Sequence, residues 1–193
     1  MSFLLIPAIA FLTALIVTPL AGRLSKRWQI VDSPGPRRVH RGVIPRLGGI
    51  GLFLAFMVAL VLVLSLPQSL LPARQDPKEL TRLTGLIIGS VFMFVMGLID
   101  DRWELGALPQ FVSQLVAAGI AYAFLIFIER VNNPLNDQVL VFPWPLVLIF
   151  TVFWIAGMIN TVNWLDGLDG LASGITAIAC AVLAVHMYRE GQY

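Results

Sequence analysis

Residues 83–101 read LTGLIIGSVFMFVMGLIDD. No side chain from Leu83 to Ile99 carries a charge, and two carboxylates, Asp100 and Asp101, then follow side by side. Coiled as an α-helix, a run of this length reaches about 25 Å, close to the thickness of a hydrocarbon bilayer core. Comparable runs occur on both sides of it, approximately over Phe3–Gly22, Leu47–Leu66, Phe111–Ile128, Pro145–Ile159 and Leu171–Met187, the fifth span of the series being short. The expected fold is an all-α, polytopic transmembrane helical bundle of about six spans. Composition agrees. Of the 193 residues, 58% are hydrophobic and 12% charged, and the mean hydropathy of +0.85 is too high for an ordinary water-soluble domain.

The connections between the runs give an orientation. Arg23, Lys26, Arg27, Arg37, Arg38, Arg41 and Arg46 crowd the first one, which the positive-inside rule places in the cytoplasm. The first run has no basic residue before it and no small-residue cleavage pattern after it, so it reads as a retained span. The N-terminus is then outside, as are the connections at 67–82 and 129–142. Those at 100–110 and 160–170 fall inside with the basic loop. Pro67, Pro72 and Pro77 in one outer connection, and Asn132, Asn133, Pro134 and Asn136 in the other, are turn chemistry without a reacting group. Trp144 suits the interface. No repeat, low-complexity tract or separable soluble segment interrupts the chain, so residues 1–193 are read as a single membrane domain.

Three polar clusters lie on the inner side. The first is Asp100-Asp101-Arg102. Carboxylates at a helix C-terminus face the negative end of the helix dipole and repel each other, so helix stability does not account for them. A divalent cation would, because Mg²⁺ takes carboxylate oxygens together with substrate phosphates. Two solvated acids at the membrane edge, one paired with Arg102, are the plainer alternative.

The second cluster, residues 160–171, reads NTVNWLDGLDGL, with Asn160, Asn163, Asp166 and Asp169 at every third position. On a regular helix, steps of three would fan these groups over about half the circumference. Gly167 and Gly170 argue instead for a break, at which amide and carboxylate oxygens could face one point. Capping of the sixth helix by one Asp would explain a single acid and leave Asn160 and Asn163 without a role.

The third cluster runs from Asp32 to Gly49 as DSPGPRRVHRGVIPRLGG. Its prolines and glycines make an irregular loop, and Arg37, Arg38, Arg41 and His40 make a candidate phosphate-facing surface. Topology and attraction to anionic headgroups account for part of that charge. Gly48, Gly49 and Gly51 suit a close helix crossing. The single Cys180, within the sixth run, is expected to be a small packing residue.

Taken in order, the clusters resemble the polyprenyl-phosphate N-acetylhexosamine-1-phosphate transferases (glycosyltransferase family 4), and their N-acetylglucosamine branch in particular. The matching motifs are Asp-x-Pro…Arg-Arg-x-His-x-Gly-x-Ile-Pro…Gly-Gly from Asp32 to Gly49, the Asp100-Asp101 doublet, and Asn160-x-x-Asn163-x-x-Asp166-Gly-x-Asp169-Gly. The resemblance implies transfer of a sugar-1-phosphate from a UDP-N-acetylhexosamine to polyprenyl phosphate, with release of UMP. Such transfer initiates cell-wall or surface-polysaccharide lipid intermediates. It implies Asp100 and Asp101 at the catalytic centre, Asn163 on Mg²⁺ (or Mn²⁺), and Asp166 and Asp169 near the uridine. Arg37, Arg38, His40 and Arg41 would form the phosphate-facing loop, with Asn160 as a further polar site residue. It also implies a multi-pass bacterial plasma-membrane protein with a cytoplasmic active site; a homodimer stays open and no nucleic-acid partner is expected.

Two departures stand out. Gln110 occupies a position where the family usually has Lys, and an uncharged amide holds a phosphate more weakly. Family members also have about ten or more spans, so the resemblance covers the first half of such a protein. A truncated, inactive relative and a membrane transporter are the alternatives. Transporters usually place ionisable groups at mid-membrane, whereas these sit at span ends.

Overall fold

The computed structural model describes residues 2–32, 42–67, 76–133, 135–136, 138–167 and 170–189. Six apolar helices stand at the six predicted positions: α1 (Ser2–Arg27), α2 (Gly49–Ser65), α3 (Glu79–Trp103), α4 (Ala107–Ala123), α5 (Trp144–Leu165) and α6 (Leu171–Arg189). Two short ribbons complete the described elements, β1 (Val31–Asp32) with β2 (Ile44–Pro45) and β3 (Arg130–Asn132) with β4 (Val139–Val141). Both are antiparallel, with Asp32 opposite Ile44 in the first and Val131 opposite Leu140 in the second.

α1, α3 and α5 are each long and apolar enough to cross a bilayer, and α2, α4 and α6 are shorter apolar helices. Only 6% of the most apolar window of α1, 6% of that of α3 and 17% of that of α5 is buried. Rows of Leu, Ile, Val and Phe therefore face outward on every helix. In water such a surface would be unstable. Lipid covers it, and the protein is an all-α, polytopic membrane protein.

Helix ends differ from those read in the sequence, for a local reason. α1 runs through Arg23, Lys26 and Arg27, five residues past its apolar limit at Gly22, and stops where Gln29 adopts φ 57°. The N–H groups of Gln29 and Ile30 return to the carbonyls of Lys26 and Ser25, a Schellman closure made without glycine. α4 ends the same way at Leu125 (φ 62°), whose N–H and that of Ile126 return to Tyr122 and Ala121. α4 therefore covers Ala107–Ala123, whereas the sequence suggested a span over Phe111–Ile128. The fifth span is not short. α5 continues through Asn160 and Asn163 to Leu165, and the Asn160 amide finds partners that let the helix proceed.

The chain divides into two compact units. One comprises residues 1–73 and 96–104. Here α1 and α2 pack together, with Gly51 pressed against Thr18, where a Cβ would collide with that side chain and its Cα. Gly48 and Gly49 have nothing within 4 Å of a Cβ, so the close crossing depends on Gly51 alone of the three. Beneath the crossing, Ser25 is fully buried. Its hydroxyl donates to the Ile30 carbonyl and accepts from the Arg46 N–H at 3.1 Å, tying the end of α1 to β2.

The other unit comprises residues 74–95 and 105–193. Gly85 of α3 lies against Phe124, and Arg82 holds both Asp76 (2.7 Å) and the Leu125 carbonyl (3.2 Å). α4 packs on α5, and Ala117 and Ala118 of α4 and Val147 and Ala156 of α5 are buried. The Ile128 N–H, just past α4, donates to the buried Thr151 hydroxyl of α5 at 2.9 Å. Cys180 is exposed on α6 and packs no core, contrary to the expectation from sequence. α6 as a whole leaves nearly all its described side chains exposed, so a small thiol there meets no tight neighbour.

Candidate active site

The acidic doublet occupies the last turn of α3. Glu104 closes the helix one residue past its end, at φ 48°, with its N–H on the Asp100 carbonyl at 2.8 Å. A non-glycine residue in this region is disfavoured by about 1–2 kcal/mol, and an ion pair of its side chain offsets part of that cost. The Glu104 carboxylate lies 2.7 Å from Nη2 of Arg46, which also reaches Asp32 Oδ1 at 3.0 Å. One guanidinium thus ties the end of α3 to the β1–β2 ribbon. Within this unit the structure brings the doublet beside the base of the basic loop. Asp100 and Asp101 are both half-buried there.

Arg46 was counted among the basic residues of that loop, but two carboxylates already occupy it and it acts as a staple. Neither Glu104 nor this role is legible from spacing. Arg37, Arg38, His40 and Arg41, the expected phosphate-facing group, lie outside the described residues.

The second cluster belongs to the other unit. Asn160, Thr161, Val162, Asn163 and Trp164 are all helical, so the break predicted at the glycines is confined to residues after Leu165. Asn160 and Asn163 stand three positions apart, about 60° around the axis and about 4.5 Å along it. Asp166 is the C-cap of α5, its N–H on the Asn163 carbonyl at 3.3 Å, and does not cap α6. Gly170, at φ 76°, supplies the turn into α6, and its carbonyl receives the Gly174 N–H at 2.9 Å. Asp169 lies outside the described residues. Asn163 and Asp166 are exposed.

Asn160 is held differently. Its Nδ2 donates to Gln114 Oε1 of α4 at 2.7 Å and to the Ala156 carbonyl at 2.9 Å, and its Oδ1 accepts from Gln114 Nε2 at 3.1 Å. Gln114 was not singled out in the sequence, although an uncharged amide inside an apolar helix is a recognisable polar contact between membrane helices. Gln110, four residues earlier, donates to the Leu105 carbonyl at 3.2 Å and so serves the start of α4. Beside the amide pair, Phe111 and Leu115 of α4 and Leu148, Ile149, Val152 and Phe153 of α5 line an open apolar groove of about 530 Å³.

Among the described residues no three His, Cys, Asp or Glu side chains form a group that could hold a metal. Mg²⁺ bound through one or two carboxylates, waters and substrate phosphates needs no such cage. The half-buried carboxylates of Asp100 and Asp101 are oxygen donors of that kind.

The architecture is that of a polytopic helical membrane protein with carboxylates placed at the C-terminal ends of two helices, α3 and α5. Comparison with known proteins goes further. The family described as Glycosyl transferase family 4 matches residues 83–193, a stretch that includes both the doublet and the Asn/Asp motif. The chain belongs to this family. It is 32% identical over 95% of its length to a probable undecaprenyl-phosphate N-acetylglucosaminyl 1-phosphate transferase of Bacillus subtilis, covering 48% of that protein. A decaprenyl-phosphate N-acetylglucosaminephosphotransferase of Mycobacterium leprae is 31% identical over 95% of the chain and 47% of the relative. An undecaprenyl-phosphate alpha-N-acetylglucosaminyl 1-phosphate transferase of Yersinia pestis is 27% identical over 94% and 46%. The chain thus spans about half the length of these relatives. No solved structure matches it.

Proposed function

We propose that the protein transfers N-acetylglucosamine-1-phosphate from UDP-N-acetylglucosamine to a polyprenyl phosphate, at the cytoplasmic face of a bacterial plasma membrane. The product would be the first lipid intermediate of a cell-wall or surface polysaccharide. The observation that carries this reading is the family match through Asp100-Asp101 and Asn160–Gly170, together with relatives named for this transfer. In this reading all six helices cross the bilayer with the N-terminus outside.

In the reaction, an oxygen of the polyprenyl phosphate attacks the sugar-bearing phosphorus of the UDP-sugar. The bond from that phosphorus to the bridging oxygen breaks, and UMP leaves with the electron pair. A phosphate monoester has a second pKa of about 6 and is largely dianionic at neutral pH, so little demand falls on a general base. Asp100 and Asp101 then orient rather than deprotonate. With Asn163 they would hold Mg²⁺, which offsets charge on the diphosphate. Asp166 and Asp169 would face the uridine, and Arg37, Arg38, His40 and Arg41 the phosphates.

Substitution separates the roles. In membranes carrying the full reading frame, Asp100→Asn and Asp101→Asn are each expected to lower transfer and to raise the Mg²⁺ concentration for half-maximal rate, without moving the pH profile. A pH profile that loses its basic limb would identify a general base instead. Transfer that is unaffected by both substitutions and by chelation would contradict the assignment.

A further inference from the structure

α5 carries Asn163 and Asp166 on its last turn and cap, so whatever fixes the rotation and depth of α5 fixes where those groups stand. Most of its contact with α4 cannot do so. The facing side chains are apolar and partly separated by the groove of about 530 Å³. Dispersion contacts of this kind are non-directional, and lipid competes for them on equal terms.

Among the described residues two directional contacts stand out. Near the middle of α5, Thr151 accepts the Ile128 N–H. Nine residues further on, about 13–14 Å along the axis, Asn160 meets Gln114 in a reciprocal pair of amide hydrogen bonds. A helix held at one point can swivel about it; held at two, it has a single register. Both hydrogens of the Asn160 amide are used, one on Gln114 and one on the Ala156 carbonyl, so Asn160 has no N–H left for a ligand. Gln114 is buried at 6% exposure, next in the chain to the buried Ser113.

The geometry points to Gln114 as a positioning residue: through Asn160 it sets the register of α5 on α4 and thereby the placement of Asn163 and Asp166. The inference rests on the transferase reading for its kinetic consequence and on the structure alone for its mechanical one. A misplacement of about 1 Å at a reacting centre costs up to about 100-fold in rate. Gln114→Leu is therefore expected to lower kcat by about 10- to 100-fold per folded protein and, because Asp166 is displaced with Asn163, to raise KM for the UDP-sugar. Because that variant leaves Asn160 with unsatisfied polar groups, it is paired with Gln114→Leu/Asn160→Leu, which removes both partners together. The double variant should regain the yield of folded protein but not kcat.

The register itself is read by pulsed electron paramagnetic resonance. In a Cys180→Ser background, spin labels replace the exposed Leu108 at the start of α4 and Trp164 at the end of α5. A single narrow distance distribution is expected in the parent. Its centre should shift, or its width grow, by between one residue rise and one turn, about 1.5–5.4 Å, in Gln114→Leu. An unchanged distribution would overturn the inference, as would parental kcat in Gln114→Leu or a recovered kcat in the double variant. If the parent itself transfers no sugar phosphate, the transferase reading fails; the label distances still decide whether Gln114 sets the register.

Discussion

Replacement of Arg46 by Met removes the guanidinium that joins Asp32 of β1 to Glu104 past the end of α3. The two ion pairs differ in a way that allows their contributions to be ranked. Glu104 is closer, at 2.7 Å, but its side chain is 64% exposed; Asp32 is at 3.0 Å and 25% exposed, against 21% for Arg46. If distance governed, the Glu104 pair would dominate. Exposure should win, because water and salt screen a surface pair to about 0–1 kcal/mol while a half-buried one keeps more of its Coulomb attraction. The Asp32 pair is also a hydrogen bond to a charged group, worth about 1.5–3 kcal/mol. Arg46→Met is therefore expected to destabilise by about 2–3 kcal/mol, mostly through Asp32. The assay is a double-mutant cycle on apparent unfolding free energy in detergent, combining Arg46→Met with Asp32→Asn and separately with Glu104→Gln. Coupling should be about 1–2 kcal/mol with Asp32 and below about 1 kcal/mol with Glu104, the latter fading in 0.5 M salt. Equal couplings, or a larger one with Glu104, would refute the argument that exposure outweighs distance here.

Two further outcomes follow from single contacts. Thr151→Val keeps the shape of a fully packed side chain but strips the Ile128 N–H of its acceptor; a loss of about 1–3 kcal/mol is expected in the same unfolding assay, and a neutral result would mean that another acceptor takes over. Gly51→Ala would place a Cβ 3.0 Å from the Thr18 Cα, so the α1–α2 crossing must open at a cost of about 1–3 kcal/mol, whereas Gly48→Ala and Gly49→Ala, with open space around them, should change little.

Much of the fold was legible because a bilayer imposes a length on every crossing. The six apolar runs stand as six helices, and the doublet lies in the last turn of α3. The ends were less legible. α1 and α4 close on Gln29 and Leu125 in left-handed conformation, and a rule that looks for glycine after a helix does not see them. α5 was cut short because Asn160 and Asn163 resemble the edge of an apolar span. An amide continues a helix when it finds a partner, and Asn160 finds Gln114, 46 positions away in the chain.

The candidate site divides similarly. The doublet Asp100-Asp101 stood out because carboxylates at a helix C-terminus oppose the dipole and call for a cation or a ligand, and Asn163 and Asp166 through the family motif that they resemble. What held those residues in place was hidden, since each support is a long-range contact: Arg46 with Glu104, Ser25 with the Arg46 N–H, Gln114 with Asn160. Grouped with the site by its spacing, Asn160 is held as a strut between α4 and α5.

The central claim is tested most directly by following radiolabelled UDP-N-acetylglucosamine with the full reading frame in membranes, measuring UMP and labelled lipid together. The account predicts UMP and polyprenyl diphosphate sugar in equal amounts, dependent on added polyprenyl phosphate, abolished by chelation and restored by Mg²⁺. Folded protein that yields neither product, or UMP without labelled lipid, would contradict it.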